Sequence, residues 1–262
     1  MKTIFFKELK LTRKMLIIWL ALITLLTGFA AIEFVVLKDT MEQLAQLADT
    51  FPKIVLVMFG LNGADLTTTA GLYQCVVFWT NLLAFFFAGF LGVFAVAREE
   101  KFGTSEFLFS KPYKRSSIVW VKIWAAITNL AIFAFGVGIL SFLGIILSLG
   151  DMSIVGLHIA TTTGMFITQV ILFSIGLFIS SFANYKIASL LTMLAVVVFY
   201  VINFALDYAG TMNLNFLTPI RYFELTGIVQ KGLNLWYVAL SLAIITACFF
   251  AASERYAKKD LR

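Results

Sequence analysis

The chain has 262 residues, 61% of them hydrophobic and only 13% charged, with 28 phenylalanines and a formal net charge of +6. A soluble domain of this size carries about 25% charged residues, so a water-soluble core inside a polar shell is excluded. Runs of ~20 apolar residues, enough to cross ~30 Å of hydrocarbon as a helix, recur along the whole sequence and predict an all-α polytopic membrane protein.

The first fourteen residues are basic and amphipathic, with Ile4, Phe5, Leu9 and Leu11 set among lysines. This pattern predicts a helix lying in the membrane interface before the chain turns into the first span. The apolar run behind it is too long for the hydrophobic part of a signal peptide and has no Ala-x-Ala site, so a span is expected rather than a cleaved leader. Six transmembrane helices are predicted, at 15–37, 72–97, 118–149, 154–182, 187–206 and 235–252. The third and fourth exceed what a bilayer needs and should tilt or project past it.

Two connections are long. Residues 40–69 begin with helical periodicity (Met41, Leu44, Leu47, Ala48) and continue into an apolar run, 54–60, too short to span; it should be a re-entrant or surface-lying helix. In 207–234, Pro219 stops one short piece, and Phe216, Tyr222 and Phe223 suit the interface. Together these predict a small extracellular cap of short amphipathic helices. No repeat or low-complexity tract breaks the chain, so residues 1–262 are expected to form one transmembrane domain.

Sixteen lysines and arginines fall on the side that holds the N-terminus, the 98–122 segment, the fourth-to-fifth loop and the C-terminal tail, against four on the other. By the positive-inside rule both termini are predicted cytoplasmic, in a plasma-membrane protein.

Enzymatic constellations are missing from the sequence. His158 is the only histidine, so a two-histidine zinc motif is impossible, and a lone intramembrane histidine reads as a helix–helix hydrogen-bond partner. Ser105 has no base beside it, and the Glu99–Glu100 pair lacks the arginine that a membrane prenyl protease would place at Thr104. No P-loop is present. The spans show no midplane carboxylate of the kind an ion-driven carrier keeps, because Glu33 lies near enough to Lys38 to reach outward. Small residues at Ala88/Gly92, Gly144/Ser148 and Gly176/Ser180, and the Gly136/Gly138 pair, predict close helix packing.

The most polar stretch, Arg98 to Lys122, reads REEKFGTSEFLFSKPYKRSSIVWVK. Gly103 should loosen the exit from the second span, and Thr104 or Ser105 can cap a short segment whose early Glu106 suits the positive helix end. Phe107, Leu108 and Phe109 give that segment an apolar side, and Pro112 forbids its continuation. Such an amphipathic helix, rimmed with charge, suits a grip by a partner on that side of the membrane; on composition alone, a helix that only anchors the loop fits equally.

This stretch resembles the signature of type 2 ABC exporter permeases. The matching positions are Glu99, Glu100, Gly103, Thr104, Glu106, Leu108, Pro112, Arg115 and Lys122, with Phe107–Phe109 in place of a plainer leucine pair. The resemblance implies that Glu99–Arg115 carries the coupling helix docked in a cleft of a separate ATPase. It implies two permease chains, identical or paralogous, with two ATPases that hold ATP and magnesium. The chain itself then binds no cofactor or metal, performs no catalysis and takes lipids, not nucleic acid, as its other partners.

By the same resemblance, the second and fifth spans line the interface between copies. Gln74, Phe78, Asn81 and Phe85 on the second and Phe199 and Asn203 on the fifth are the candidate pathway residues, with ordinary interhelical hydrogen bonds and core packing as the alternative. A phenylalanine- and leucine-rich route favours amphipathic or hydrophobic cargo, such as peptides, moved outward. An ATP-independent channel or ion-coupled carrier is the alternative function, and a membrane enzyme a third.

Overall fold

The computed structural model describes residues 1–103, 115–146, 150–211, 214–225, 227–228, 232 and 234–258. Six of its helices are long and apolar enough to cross a membrane, and no strand occurs among the described residues. The spans are Lys2–Leu37, Thr69–Lys101, Arg115–Ser141, Val155–Phe182, Tyr185–Ala209 and Leu235–Lys258, in that order. A π turn, Phe142–Ile146, continues the third.

One expectation is corrected at the start of the chain. The basic N-terminal stretch is not a separate interfacial helix; it is continuous with the first span over 36 residues. The reason is local: no glycine or proline interrupts residues 2–27, so nothing breaks the i→i−4 ladder before Gly28. At 1.5 Å per residue this helix is about 54 Å long, well beyond ~30 Å of hydrocarbon. Its first turns therefore extend past the apolar layer and carry Glu8 and Thr12 into contact with other spans.

The second and fourth spans form the centre of the bundle. Glycines let them approach to backbone contact: a Cβ on Gly92 would lie 2.4 Å from the Phe173 carbonyl oxygen, and one on Gly176 would lie 2.7 Å from that of Gly89. Around this seam Phe87, Leu91, Ile123, Leu130, Phe133, Phe173 and Leu177 make the main core, with Phe87 stacked on Phe133 at 4.3 Å. Gln169 reaches across it and donates to the Ala84 carbonyl at 3.2 Å.

His158 joins three spans. Its Nε2–H donates to the Gly138 carbonyl at 3.0 Å, which leaves Nδ1 to accept from the Tyr73 hydroxyl at 2.6 Å. A carbonyl can only accept, so the tautomer follows from the geometry.

At the end of the bundle away from the chain termini, the first long connection folds as two short helices, Met41–Asp49 and Lys53–Met58. Two 3₁₀ turns, Asn215–Leu217 and Pro219–Arg221, precede the last span, and Pro219 opens the second of them. Both connections are tied to the fifth span. Lys53 donates to the Tyr208 carbonyl at 2.6 Å, Thr218 to that of Phe199 at 3.1 Å and Arg221 to that of Asn203 at 3.2 Å.

Candidate functional site

Glycine ends the second span at the point where the polar stretch begins. Gly103 has φ +63°, and its N–H and that of Phe102 close back on the carbonyls of Glu100 and Arg98. A left-handed residue of this kind stops a helix and satisfies its last carbonyls. Arg115 opens the third span and is exposed. Thr104, Glu106, Phe107, Leu108 and Pro112 lie outside the described residues.

The two stems of that segment are fastened by four buried charges. Arg98 and Glu99 occupy the last turns of the second span, Lys122 the third turn of the third, and Glu8 the early turns of the first. Arg98 Nη2 lies 3.0 Å from Glu8 Oε1 and 2.8 Å from Glu99 Oε1. Lys122, only 1% exposed, places Nζ 2.5 Å from Glu99 Oε1 and 3.9 Å from Glu8 Oε1, and donates to the Ala95 carbonyl at 3.1 Å. The guanidinium of Arg98 also sits 5.3 Å from the Phe94 ring centroid.

Two cations and two carboxylates sum to zero, which is why burial is tolerable: each ion has an opposite charge in contact. Breaking such a pair by removing one member costs about 3–5 kcal/mol, since the survivor stays buried and unpaired. The fastening continues outward from the charges. Asn129 of the third span donates to Thr12 Oγ1 at 2.5 Å, and Tyr256 of the sixth donates to the Val96 carbonyl at 3.4 Å. Four spans thus meet at the root of the polar stretch. Glu99 belongs to this clasp, and Glu100 beside it is only partly buried.

At the opposite end, a cavity opens between the second span, the fifth span and the two outer connections. Gln74, Phe78, Asn81 and Asn203 all line it. Phe85 and Phe199 do not: Phe85 is 2% exposed, packed toward Tyr200, and Phe199 is half-buried beside the main core. The structure therefore brings four of the six expected pathway residues together within a single chain. It adds Asn62, Tyr200, Phe204, Asp207 and Glu224, which sequence reading did not single out.

The reason these escaped notice is that Asp207 and Glu224 sit at span and loop ends, where single acids look like ordinary solvated residues. The clasp had a readable signal. Lys122 stands four residues inside an apolar span, and an isolated charge there implies a buried counter-ion. Its partner Glu8, 114 residues earlier, was hidden in a stretch that reads as simply basic.

Six apolar helices with a short polar connection fastened between two of them define a multi-pass membrane protein, and among the described residues no cluster could hold a metal ion. A family model described as ABC-2 family transporter protein matches residues 2–261. The chain belongs to that family: it is a type 2 ABC permease, the membrane-spanning subunit of an ABC transporter and not its ATPase. Membership implies association with an ABC ATPase, which carries the nucleotide, and with membrane lipids. No curated protein matches the chain.

Proposed function

We propose that this permease serves an ATP-driven exporter in which the 99–115 segment transmits ATPase movement to the spans. The observation that carries the reading is the Glu8–Arg98–Glu99–Lys122 clasp. It stands at both stems of the segment whose sequence matches the coupling signature, so a push on that segment would reach the first, second and third spans as one unit. The basic end then faces the cytoplasm and the cavity faces outward. Two copies, or this chain with a paralogue, form the working pair, and an exposed apolar stripe on the fifth span (Leu190, Leu194, Val198, Val201) supports a role for that span in their contact. Phe78, which lines the cavity, would narrow the route, whose cargo is amphipathic or hydrophobic, peptides included.

The test is uncoupling. Glu106→Arg or Gly103→Val should leave the spans folded while lowering co-purification with the ATPase and transport-linked ATP turnover in liposomes by at least about tenfold, as expected when a charged contact is reversed. Unchanged association and turnover in both variants would remove the segment from the docking role.

A further inference from the structure

At the end of the bundle that holds the chain termini, the first span carries more cations than the protein pairs. Residues 1–32 contain five lysines and arginines, Lys2, Lys7, Lys10, Arg13 and Lys14, and a single acid, Glu8. Glu8 is turned inward, where Arg98 and Lys122 meet its charge. All five cations are exposed, and none of them is in an ion pair among the described residues.

An apolar groove opens beside them, between the first and third spans. It is lined by Met1, Lys2, Phe5, Phe6, Val121 and Trp124 and holds about 470 Å³ of free space, within the ~300–1,000 Å³ of small-molecule sites. Phe6 and Trp124 remain 66% and 59% exposed. Water covers such rings at a cost that hydrocarbon does not impose.

Height decides which medium meets the groove. Glu8 lies one turn from Phe5, Lys122 is next to Val121, and their charged atoms are 3.9 Å apart, so the groove is level with the buried clasp. Further along, the third span presents Ala131, Ile132 and Phe135 to the outside of the bundle. The groove therefore stands where a charged end gives way to an apolar flank, the level at which tryptophan favours the membrane interface.

We infer that this groove binds an anionic phospholipid of the leaflet next to the chain's basic end. One acyl chain lies against Phe5, Phe6, Val121 and Trp124 and continues down the exposed face of the third span, while the phosphate meets the Lys2 ammonium. A lysine can lay its four-carbon stem along an apolar wall and keep its charge free. An ammonium has three donors and no acceptor, so a phosphate supplies both the counter-charge and the acceptors. A zwitterionic lipid offers the same chains without net charge, which makes headgroup charge the selected feature. The inference goes beyond the transport reading and needs no ATPase, cargo or second copy.

Brominated acyl chains quench a tryptophan they touch, so Trp124 reports the site. The full chain is reconstituted in bilayers of fixed composition in which either the phosphatidylglycerol or the phosphatidylcholine is dibrominated; the Trp124 signal is the difference from Trp124→Phe. Phosphatidylglycerol should occupy the groove about fivefold more readily than phosphatidylcholine, the effect of one basic residue near an anionic headgroup. Lys2→Gln should remove this preference, Lys2→Arg should keep it, and Phe6→Ser should weaken quenching by both lipids. Lys2 and Phe6 are exposed, so these variants should fold, with thermal midpoints as the control. Lys7→Gln, about 140° round the helix from Lys2 and outside the groove, should change the preference by less than about twofold. Equal quenching by the two lipids would overturn the site. An equal loss in Lys7→Gln and Lys2→Gln would overturn it in favour of a diffuse basic surface. Abolition of the preference by soluble glycerol phosphate would overturn it in favour of a free-anion site.

Discussion

Lys122 shows how a single residue can tie three helices. Its ammonium touches Glu99 at 2.5 Å in a place almost closed to solvent, and Arg98 competes for the same carboxylate oxygen at 2.8 Å. Removing either charge alone leaves an uncompensated ion, so Lys122→Met and Glu99→Leu should each destabilise the chain by about 3–5 kcal/mol, and the double variant by clearly less than their sum. Unfolding in mixed micelles, arranged as a double-mutant cycle, measures the coupling; additive losses would mean the pair contributes nothing beyond its packing.

Glu224 makes a residue-scale prediction of the opposite kind, about protons. Burial raises its pKa above the ordinary carboxylate range, Arg221 opposes the rise and Asp207 adds to it. The other groups facing this cluster are the Tyr200 hydroxyl and, beside Asp207, Lys53 on the Tyr208 carbonyl. A raised pKa means that Glu224 takes up its proton at a higher pH than a free carboxylate at ~4.3. The folded chain therefore holds this proton more tightly than the unfolded chain, and stability should rise as pH drops from 7 towards that ordinary value. Glu224→Gln should remove this part of the rise. Thermal midpoints that change identically in wild type and Glu224→Gln between pH 7 and 5 would contradict the raised pKa of Glu224.

At the scale of elements, the seam between the second and fourth spans depends on absent side chains. The atoms a Gly92 Cβ would strike are backbone, Phe173 O and Leu177 N, and neither can swing aside. Gly92→Ala should therefore force the helices apart and destabilise the fold by about 1–3 kcal/mol. Gly28, in the middle of the first span with nothing within 4 Å of its Cβ position, is the contrast. Gly28→Ala should be neutral or stabilising by up to ~1 kcal/mol, because alanine favours the helix. Thermal unfolding of the two variants side by side separates packing from propensity; equal effects would show that close approach at Gly92 is not limiting.

For the whole molecule, the basic asymmetry predicts which end meets the cytoplasm, and surface labelling can read it. In a background lacking Cys75 and Cys248, single cysteines at the exposed positions Lys101 and Glu254 should be shielded from an impermeant external thiol reagent in intact cells. Cysteines at the exposed positions Thr67 and Ser153 should react. Labelling at Lys101 from outside would reverse the orientation and exclude cytoplasmic coupling through 99–115.

What the sequence by itself determined is what depends on local composition. Six apolar runs give six spans, and all but the first begin within about three residues of where hydropathy puts them, since a segment's partition into hydrocarbon is a property of its own side chains. Gly103 and Pro219 mark turns for equally local reasons, positive φ and a missing N–H. The motif at 99–122 is likewise contiguous, and the family it resembles is the one whose model matches the chain. The tertiary structure alone decided which distant residues meet. Glu8 and Lys122 are 114 positions apart, and Asn62 and Asp207 are 145 apart, so no periodicity in either segment announces the contact. It also decided that the N-terminal stretch runs straight into the first span, where its polar face finds buried partners instead of the membrane surface. Gln74, Asn81 and Asn203 could be picked out as polar residues in apolar helices, but whether they would serve lipid-facing bonds, a partner copy or one shared cavity depended on how the second and fifth spans pack. A charge within an apolar run signals a buried partner, and only the packing of the other helices says which residue that is.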